Sequence, residues 1–400
     1  MKPYKKRKIT YFCKAKNRQM KRIVIASDSF KGSLTSLQVA DAAEQGIHKV
    51  FPFCDVVKVN VADGGEGTME ALLDTLGGRK VAVTVSDPLG RPVNAAYGIL
   101  SDGVTAVMEM SASSGLPLLK TEERNPSRTS TYGTGEMIVD ALAKGCRKFL
   151  VGIGGSATND AGMGMLSALG FRFMDADGND LKGTGADMAK VERIVTDDVS
   201  KAVKEAEFIV ACDVDSPFCG PKGAAYVFSP QKGADARMVE ELDKGMYHFA
   251  EVISRTLCRD IRDLPGAGAA GGLGGGFVAF LNARLERGVE MVLDAIDFDR
   301  IIEGADMVIT GEGRVDFQTL TGKTPFGVMK RAAKKNIMVV AIGGSVAFSE
   351  TDDVSGFEAI VPVTPEGMPL AQAMDPVVAS ANVSAAVEKI MRIYKQKEDE

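Results

Sequence analysis

Histidine is nearly absent from this chain: only His48 and His248 occur in 400 residues. A catalytic triad, a histidine phosphocarrier or a histidine-rich zinc site has little material to be built from. Both histidines fall in segments of helical periodicity. His48 follows Val39, Ala43 and Ile47 and reads as a boundary residue. The six cysteines, Cys13, Cys54, Cys146, Cys212, Cys219 and Cys258, form no Cys-x-x-Cys pair. That removes the usual zinc and redox spacings, and the expectation is reduced, buried thiols. No apolar run is long enough to span a bilayer. The net charge of −5 gives no whole-chain footprint for nucleic acid. Chemistry here must run on Asp, Glu, Lys, Arg and backbone N–H groups.

What is present suits a soluble enzyme. Hydrophobic residues make up 45% and charged residues 25%, ordinary values for a globular protein. Four hundred residues exceed one core, so about two domains are expected. From Lys2 to Arg22 the charged residues are all basic. That stretch lacks the apolar segment of a secretory signal. It is expected to be a disordered basic extension over 1–20, or the product of a start site placed too early, because Met20-Lys-Arg-Ile-Val-Ile begins a strand cleanly.

Strand and helix alternate at both ends of the chain. Arg22–Ala26 and Val56–Val61 read as strands, with Gly67–Leu76 a helix closed by Gly77-Gly78. Thr35 and Gln38 have the spacing of a capping box. Alternation resumes with Met307–Thr310, Thr324–Lys334, Ile337–Ile342, Ala359–Val363 and a helix near Val383–Tyr394. The middle differs: Val81–Val85, Ala95–Leu100 and Val104–Met108 read as antiparallel hairpins. The expectation is an open parallel α/β domain from residues 21–80 plus 291–400, with a second α/β domain inserted at 81–290. The glycine-rich run Pro265–Gly276 reads as a hinge or as a backbone-lined ligand loop.

Three acid-and-glycine loops stand out. Asp63-Gly64-Gly65-Glu66-Gly67-Thr68 and Gly311-Glu312-Gly313-Arg314-Val315-Asp316-Phe317-Gln318 each follow an apolar run. Gly154-Gly155-Ser156-Ala-Thr-Asn159-Asp160 has the same character. Glycine permits tight turns and close approach to a ligand. Carboxylates beside exposed backbone N–H groups suit a phosphate held with a hard cation. Asp28, Asp63 and Glu312 all fall after predicted strands, where ligands of open sheets bind. Ser27-Asp28-Ser29-Phe30-Lys31-Gly32-Ser33 offers hydroxyls, N–H groups and a lysine to an anion; an ordinary βα loop with capping serines accounts for it equally well. Cys212-Asp213-Val214-Asp215 ends a strand with two carboxylates, readable as a site or as a turn. Two tempting motifs fail. Gly152-x-Gly154 lacks the third glycine of a dinucleotide fingerprint, because Ala157 occupies that place. Gly322-Lys323-Thr324 lacks the first glycine of a Walker A loop, because Phe317 stands there. The residues alone support a Mg-nucleotide phosphotransferase.

In this order the motifs resemble the bacterial glycerate kinase family, from about Lys21 to the C-terminal helix. Ile25–Lys31, Ala62–Thr68, Gly152–Asp160, Cys212–Asp215, Gly223–Gly233, Gly311–Gln318 and Gly322-Lys323 carry the resemblance. Members commonly have Pro where Ser27 stands and often Glu where Gly32 stands. The resemblance implies a flavodoxin-like domain and an inserted mixed α/β domain resembling a restriction-enzyme fold. It implies ATP-dependent phosphorylation of D-glycerate, usually at the 2-hydroxyl, in a cytoplasmic monomer or homodimer without nucleic-acid or membrane partners.

On that reading Mg²⁺ bridges phosphates and is held by Asp63, Glu66, Glu312 and Asp316. Lys31 and Lys323 are candidate cations for phosphate or carboxylate, and Asp213 is the candidate base. Ser156 and Asn159 orient the substrate. Asp28, Ser29, Gly64, Gly65, Gly154, Gly155, Asp160, Asp215 and Gln318 complete the expected binding set. Competing readings are a kinase giving 3-phosphoglycerate or acting on another small hydroxy acid, and a non-catalytic metabolite-binding regulator. A nicotinamide-dependent oxidoreductase is a further alternative, weakened by the failed fingerprint.

Overall fold

Ile23, Val24, Ile25 and Ala26 are wholly buried, as a central strand covered on both faces must be. In the computed structural model, which describes residues 20–348 and 353–398, they form β1 (Arg22–Ser27). The strands that follow are β2 (Asp55–Asn60), β3 (Gly78–Ser86), β4 (Pro92–Leu100), β5 (Thr105–Glu109), β6 (Lys148–Gly152), β7 (Arg172–Met174), β8 (Arg193–Val195), β9 (Glu207–Ala211), β10 (Arg284–Glu286), β11 (Met307–Asp316), β12 (Met338–Ala347) and β13 (Ala359–Pro362). The basic stretch before Met20, and Cys13 within it, lie outside the described residues.

The chain divides into two compact units. One runs to Asp63 and resumes at Val292; the other is Gly64–Met291. The first holds five parallel strands in the order β13-β12-β11-β1-β2. Renumbered within the unit, this is the 2-1-3-4-5 order of flavodoxin-like sheets, with the switch point between β1 and β11. Ile23, Ile25, Met307, Ile309, Val340 and Ile342 share one core with the helices Ser36–His48 and Pro376–Glu398. The alternate residues Val24, Val308 and Val339 are equally buried and point to the other face, where the helix Thr324–Lys334 packs. The Thr35–Gln38 capping box forms on the helix Ser36–His48. Gly46 lets the Pro376–Glu398 helix approach closely: a Cβ there would stand 2.5 Å from the Ser384 carbonyl oxygen.

The second unit is mixed. Strands β10, β9, β6 and β5 run parallel, and β4 and β3 complete the sheet antiparallel. The helix Thr68–Leu76 belongs here, so the first division falls at Asp63/Gly64 rather than at residue 80. Its Met69 and Leu73 side chains pack within 3.2 Å of the Cβ position at Gly98 on β4, a cross-sequence contact invisible to local alternation. The glycine-rich run is not an open, solvated loop. It enters the largely buried helix Ala269–Leu281, whose backbone turns left-handed at Ala270, Gly271 and Gly272. A Cβ at Gly271 would stand 2.1 Å from the Thr158 carbonyl oxygen, so glycine is needed there for close packing.

The five described cysteines are free thiols. Cys54, Cys146 and Cys212 are buried as expected, whereas Cys219 is partly exposed and Cys258 is exposed. His48 and His248 each hydrogen-bond through Nε2 to a backbone carbonyl, of Cys54 and Val191 respectively. Among the described residues no helix is long and apolar enough to cross a membrane.

Candidate functional site

The switch point of the first sheet carries a cluster of acids and lysines. Asp28 follows β1 directly, and its N–H donates to the Gly311 carbonyl on β11 (2.9 Å). One carboxylate oxygen of Asp28 accepts from the Ser29 N–H (2.6 Å), and the other lies 3.5 Å from the Thr324 hydroxyl. Burial, reinforced by the Asp63 carboxylate, lifts the Asp28 carboxyl to about 6. Glu312 is likewise pushed above the ordinary carboxylate range by burial, with Asp63 adding to the rise. Its two oxygens meet the Thr319 hydroxyl (2.6 Å) and the Lys323 Nζ (3.5 Å). Asp63 lies 4.0 Å from the Lys31 Nζ. Asp28, Asp63, Glu312, Lys31 and Lys323 thus line one pocket of about 1260 Å³ within the first unit.

The strand reading of the Glu312 motif needs correction. β11 does not end at Thr310 but continues through Glu312 to Asp316, paired with β12 as far as Ala347. Gly311 makes this possible, because a Cβ there would stand 2.4 Å from the Ile342 carbonyl oxygen. Asp316 is not turned to the lysines. It pairs with Arg314 Nε (3.0 Å) and accepts from the Gln318 N–H (2.9 Å). Ser29 lines the pocket, whereas Gln318 does not.

The remaining expected residues lie in the second unit. Gly64 has φ +85°, and a Cβ there would meet Gly288 Cα at 2.6 Å and Ala211 Cβ at 2.7 Å, so this glycine serves packing. Gly65 and Glu66 follow it, and Glu66 is exposed. The N–H groups of Gly67 and Met69 at the start of the next helix already donate to Glu109. Those two amides are therefore not open to a phosphate. Asp213 is exposed, and its Oδ1 accepts from the Gly288 N–H (3.0 Å). Asp215 pairs with Arg287 (2.9 Å).

Gly154 and Gly155 are exposed, but the residues after them sink into the core. Asn159 and Asp160 are fully buried. Asn159 accepts from the Ser229 hydroxyl (2.8 Å). Asp160 accepts from the N–H and hydroxyl of Thr131 and from the N–H groups of Gly162 and Gly164. Ser156 bonds within its own loop, to Thr158, and receives a long contact from Lys232 (3.4 Å). Lys232 is itself buried and donates to the Thr158 carbonyl (2.5 Å). Burial pulls its ammonium down to about 7.

Thr319, Thr324, Glu109 and Lys232 were not among the expected site residues. Thr319 and Thr324 sit inside the motif runs, and hydroxyls next to acids were the available signal. Glu109 ends an apolar strand and could have been read as an acid at a carboxyl edge. Lys232 sits inside the Gly223–Gly233 run that carries the family resemblance.

Of the expected metal set, Asp63 and Glu312 line one pocket of the first unit, Asp316 pairs with Arg314, and Glu66 belongs to the second unit. Among the described residues no three potential ligands form a ready-made cage. Asp63 and Glu312 nevertheless fit a hard cation that takes one or two carboxylates and fills its shell with water and phosphate oxygens. Asp63 adds to the rise of the Asp28 and Glu312 carboxyls, a repulsion that a cation would relieve. The Ser33 hydroxyl, on the pocket wall, is buried without a partner among the described residues.

A parallel α/β unit with acids and lysines gathered at its switch point has the make-up of a phosphate-handling enzyme. The chain matches the glycerate kinase family model over residues 23–395. It is 46% identical over 355 residues to glycerate kinase of Bacillus subtilis (strain 168), covering 88% of this chain and 93% of that protein. It is 46% identical over 333 residues to glycerate 2-kinase of Escherichia coli (strain K12), covering 83% and 86%. A crystal structure from Salmonella typhimurium LT2, assigned as a glycerate kinase 2, superposes with a TM-score of 0.87 at 42% identity, covering 96% of this chain and all of that one. The chain belongs to the glycerate kinase family.

Proposed function

We propose that the protein phosphorylates D-glycerate with ATP at the 2-hydroxyl, giving 2-phosphoglycerate and ADP in the cytoplasm. The observation that carries this is the convergence of Asp28, Asp63, Glu312, Lys31 and Lys323 on one pocket at the carboxyl edge of the first sheet. The name of the Escherichia coli relative supports the 2-position.

Phosphoryl transfer needs positioning and charge neutralisation more than covalent participation. Mg²⁺, held by Asp63 and Glu312, would supply positive charge to the β- and γ-phosphates. Lys31 and Lys323 add cations on either side of these acids. We assign Asp28 rather than Asp213 as acceptor of the attacking hydroxyl's proton. Its carboxyl is pushed to about 6 by burial, close to working pH, where a general base is most effective. Asp213 is exposed and hydrogen-bonded to its own unit.

Phosphorus NMR of the product from D-glycerate and ATP tests the reading directly. A 2-phosphoglycerate resonance is expected, disappearing with EDTA. A 3-phosphoglycerate resonance would overturn the regiochemistry, and turnover without divalent ion would remove the metal.

A further inference from the structure

We infer that the apolar end of the first unit's pocket is the seat of the nucleotide's base and ribose. This rests on the kinase reading above and adds where the non-reacting part of ATP is held.

The pocket is two-sided in chemistry. One end carries Asp28, Asp63, Glu312, Lys31 and Lys323; the other is walled mainly by Val361, Pro362, Met368, Leu370, Ala373 and Met374, with Glu366 and Lys389 beside them. Leu370 is 77% exposed and Met374 36% exposed, both large apolar side chains left open to solvent. A three-carbon hydroxy acid has almost no apolar surface to match such a wall, and about 1260 Å³ far exceeds its needs. A nucleoside triphosphate has both parts: phosphates for the charged end and a flat heteroaromatic base for the apolar one.

The topology sets the distance between the two ends. Glu312 is on β11, whereas Val361 and Pro362 are on β13, two strands along the sheet. At a strand spacing near 4.8 Å that is about 10 Å, a span that an extended nucleoside triphosphate covers. The two ends are also physically joined. Met374 Cε lies 3.1 Å from the Cβ position at Gly32, in the Lys31 loop. Asn382 stands in the same wall with its amide nitrogen 3.4 Å from the Met368 sulfur; an amide has a second N–H and an oxygen for the edge of a base.

Calorimetry and steady-state kinetics on the full chain test this. Wild-type protein should bind Mg-ATP at least tenfold more tightly than Mg-tripolyphosphate. Leu370→Ala and Met374→Ala, both on the surface, should raise Kd and KM for ATP about tenfold, the scale for lost apolar contact in a pocket. Binding of tripolyphosphate and KM for D-glycerate should stay unchanged. Equal wild-type affinities for ATP and tripolyphosphate would overturn the inference. So would variants that weaken D-glycerate and leave ATP untouched. Base-dependent ATP binding in a protein that fails to phosphorylate D-glycerate would sink the proposed reaction and leave this subsite standing.

Discussion

The switch-point cluster of the first unit and the Asn159–Asp160–Lys232 cluster of the second are built from the same residue types. They differ in what satisfies them. Asp160 is surrounded by donors: two from Thr131 and one each from Gly162 and Gly164. Lys232 is capped by the Thr158 carbonyl. In the first unit, Asp28 and Glu312 face a third acid, Asp63, across a pocket, and the Asp63 carboxylate adds to the burial that disfavours the charge of both. A buried polar group that is fully bonded specifies a fold. Like charges held together at a pocket oppose one another's ionisation, and a bound cation can relieve that. The same vocabulary therefore serves structure in one place and chemistry in the other.

The sharpest way to break this contrast is to neutralise acids in each cluster. Asp63→Asn and Glu312→Gln should each lower kcat/KM by on the order of 10³-fold, since both face the transferring charge. Their combination should fall well short of the product of the two, because groups acting as a unit are not additive. Unchanged turnover in either variant would show that its carboxylate only supports its own loop.

Asp160→Ala should do the opposite. Removing an acceptor that serves four buried donors should destabilise the fold by roughly 3–5 kcal/mol, read as a large fall in Tm. The fraction that remains folded should keep its ATP affinity. A variant with wild-type Tm and lost binding would move Asp160 into the site.

Lys31 tests the cationic side of the pocket. Its side chain is 69% exposed and reaches Asp63 only at 4.0 Å, so it contributes little to folding. Lys31→Ala should lower kcat/KM by about 10²-fold, the scale of a lost charge-assisted contact with its positioning, and leave Tm almost unchanged. Wild-type kinetics would exclude it.

The last test reads a gain of stability. The folded-state carboxyl of Asp28 holds its proton up to about 6, against 3.8 ordinarily. The folded state therefore binds more protons than the unfolded chain between those values, and stability is lost as pH rises through that window. Asn cannot lose a proton. Without added metal, Asp28→Asn should be more stable than the parent at pH 7.5 by up to about 3 kcal/mol, from 1.36 kcal/mol per tenfold change. The difference should vanish as pH falls toward 4. The same variant should lose the acid limb that the Asp28 base gives the parent's activity profile. A pH-independent stability difference would show that the pocket does not disfavour the Asp28 charge.

The sequence by itself determined much of this protein. The β-branched runs and capping signals placed β1, β2, β13 and the start of the helix Ser36–His48 nearly to the residue, whereas β12 runs on past Ile342 to Ala347. The ordered acid-and-glycine motifs gave the family. They also named Asp28, Asp63, Glu312, Lys31 and Lys323 as site candidates, because carboxylates and lysines beside glycines suit a phosphate held with a hard cation. What local pattern did not reveal is which of the three glycine loops stays open. Gly64 is fixed by Gly288 and Ala211, and Gly271 by Thr158, contacts more than 100 residues away in sequence. Lys232 is buried against a loop 74 residues before it. The apolar wall at 360–374 carries no signature at all. Burial and the partner of each polar group depend on segments that meet only when the chain folds. Only the tertiary structure, therefore, separated the loops that close upon themselves from those that line a pocket.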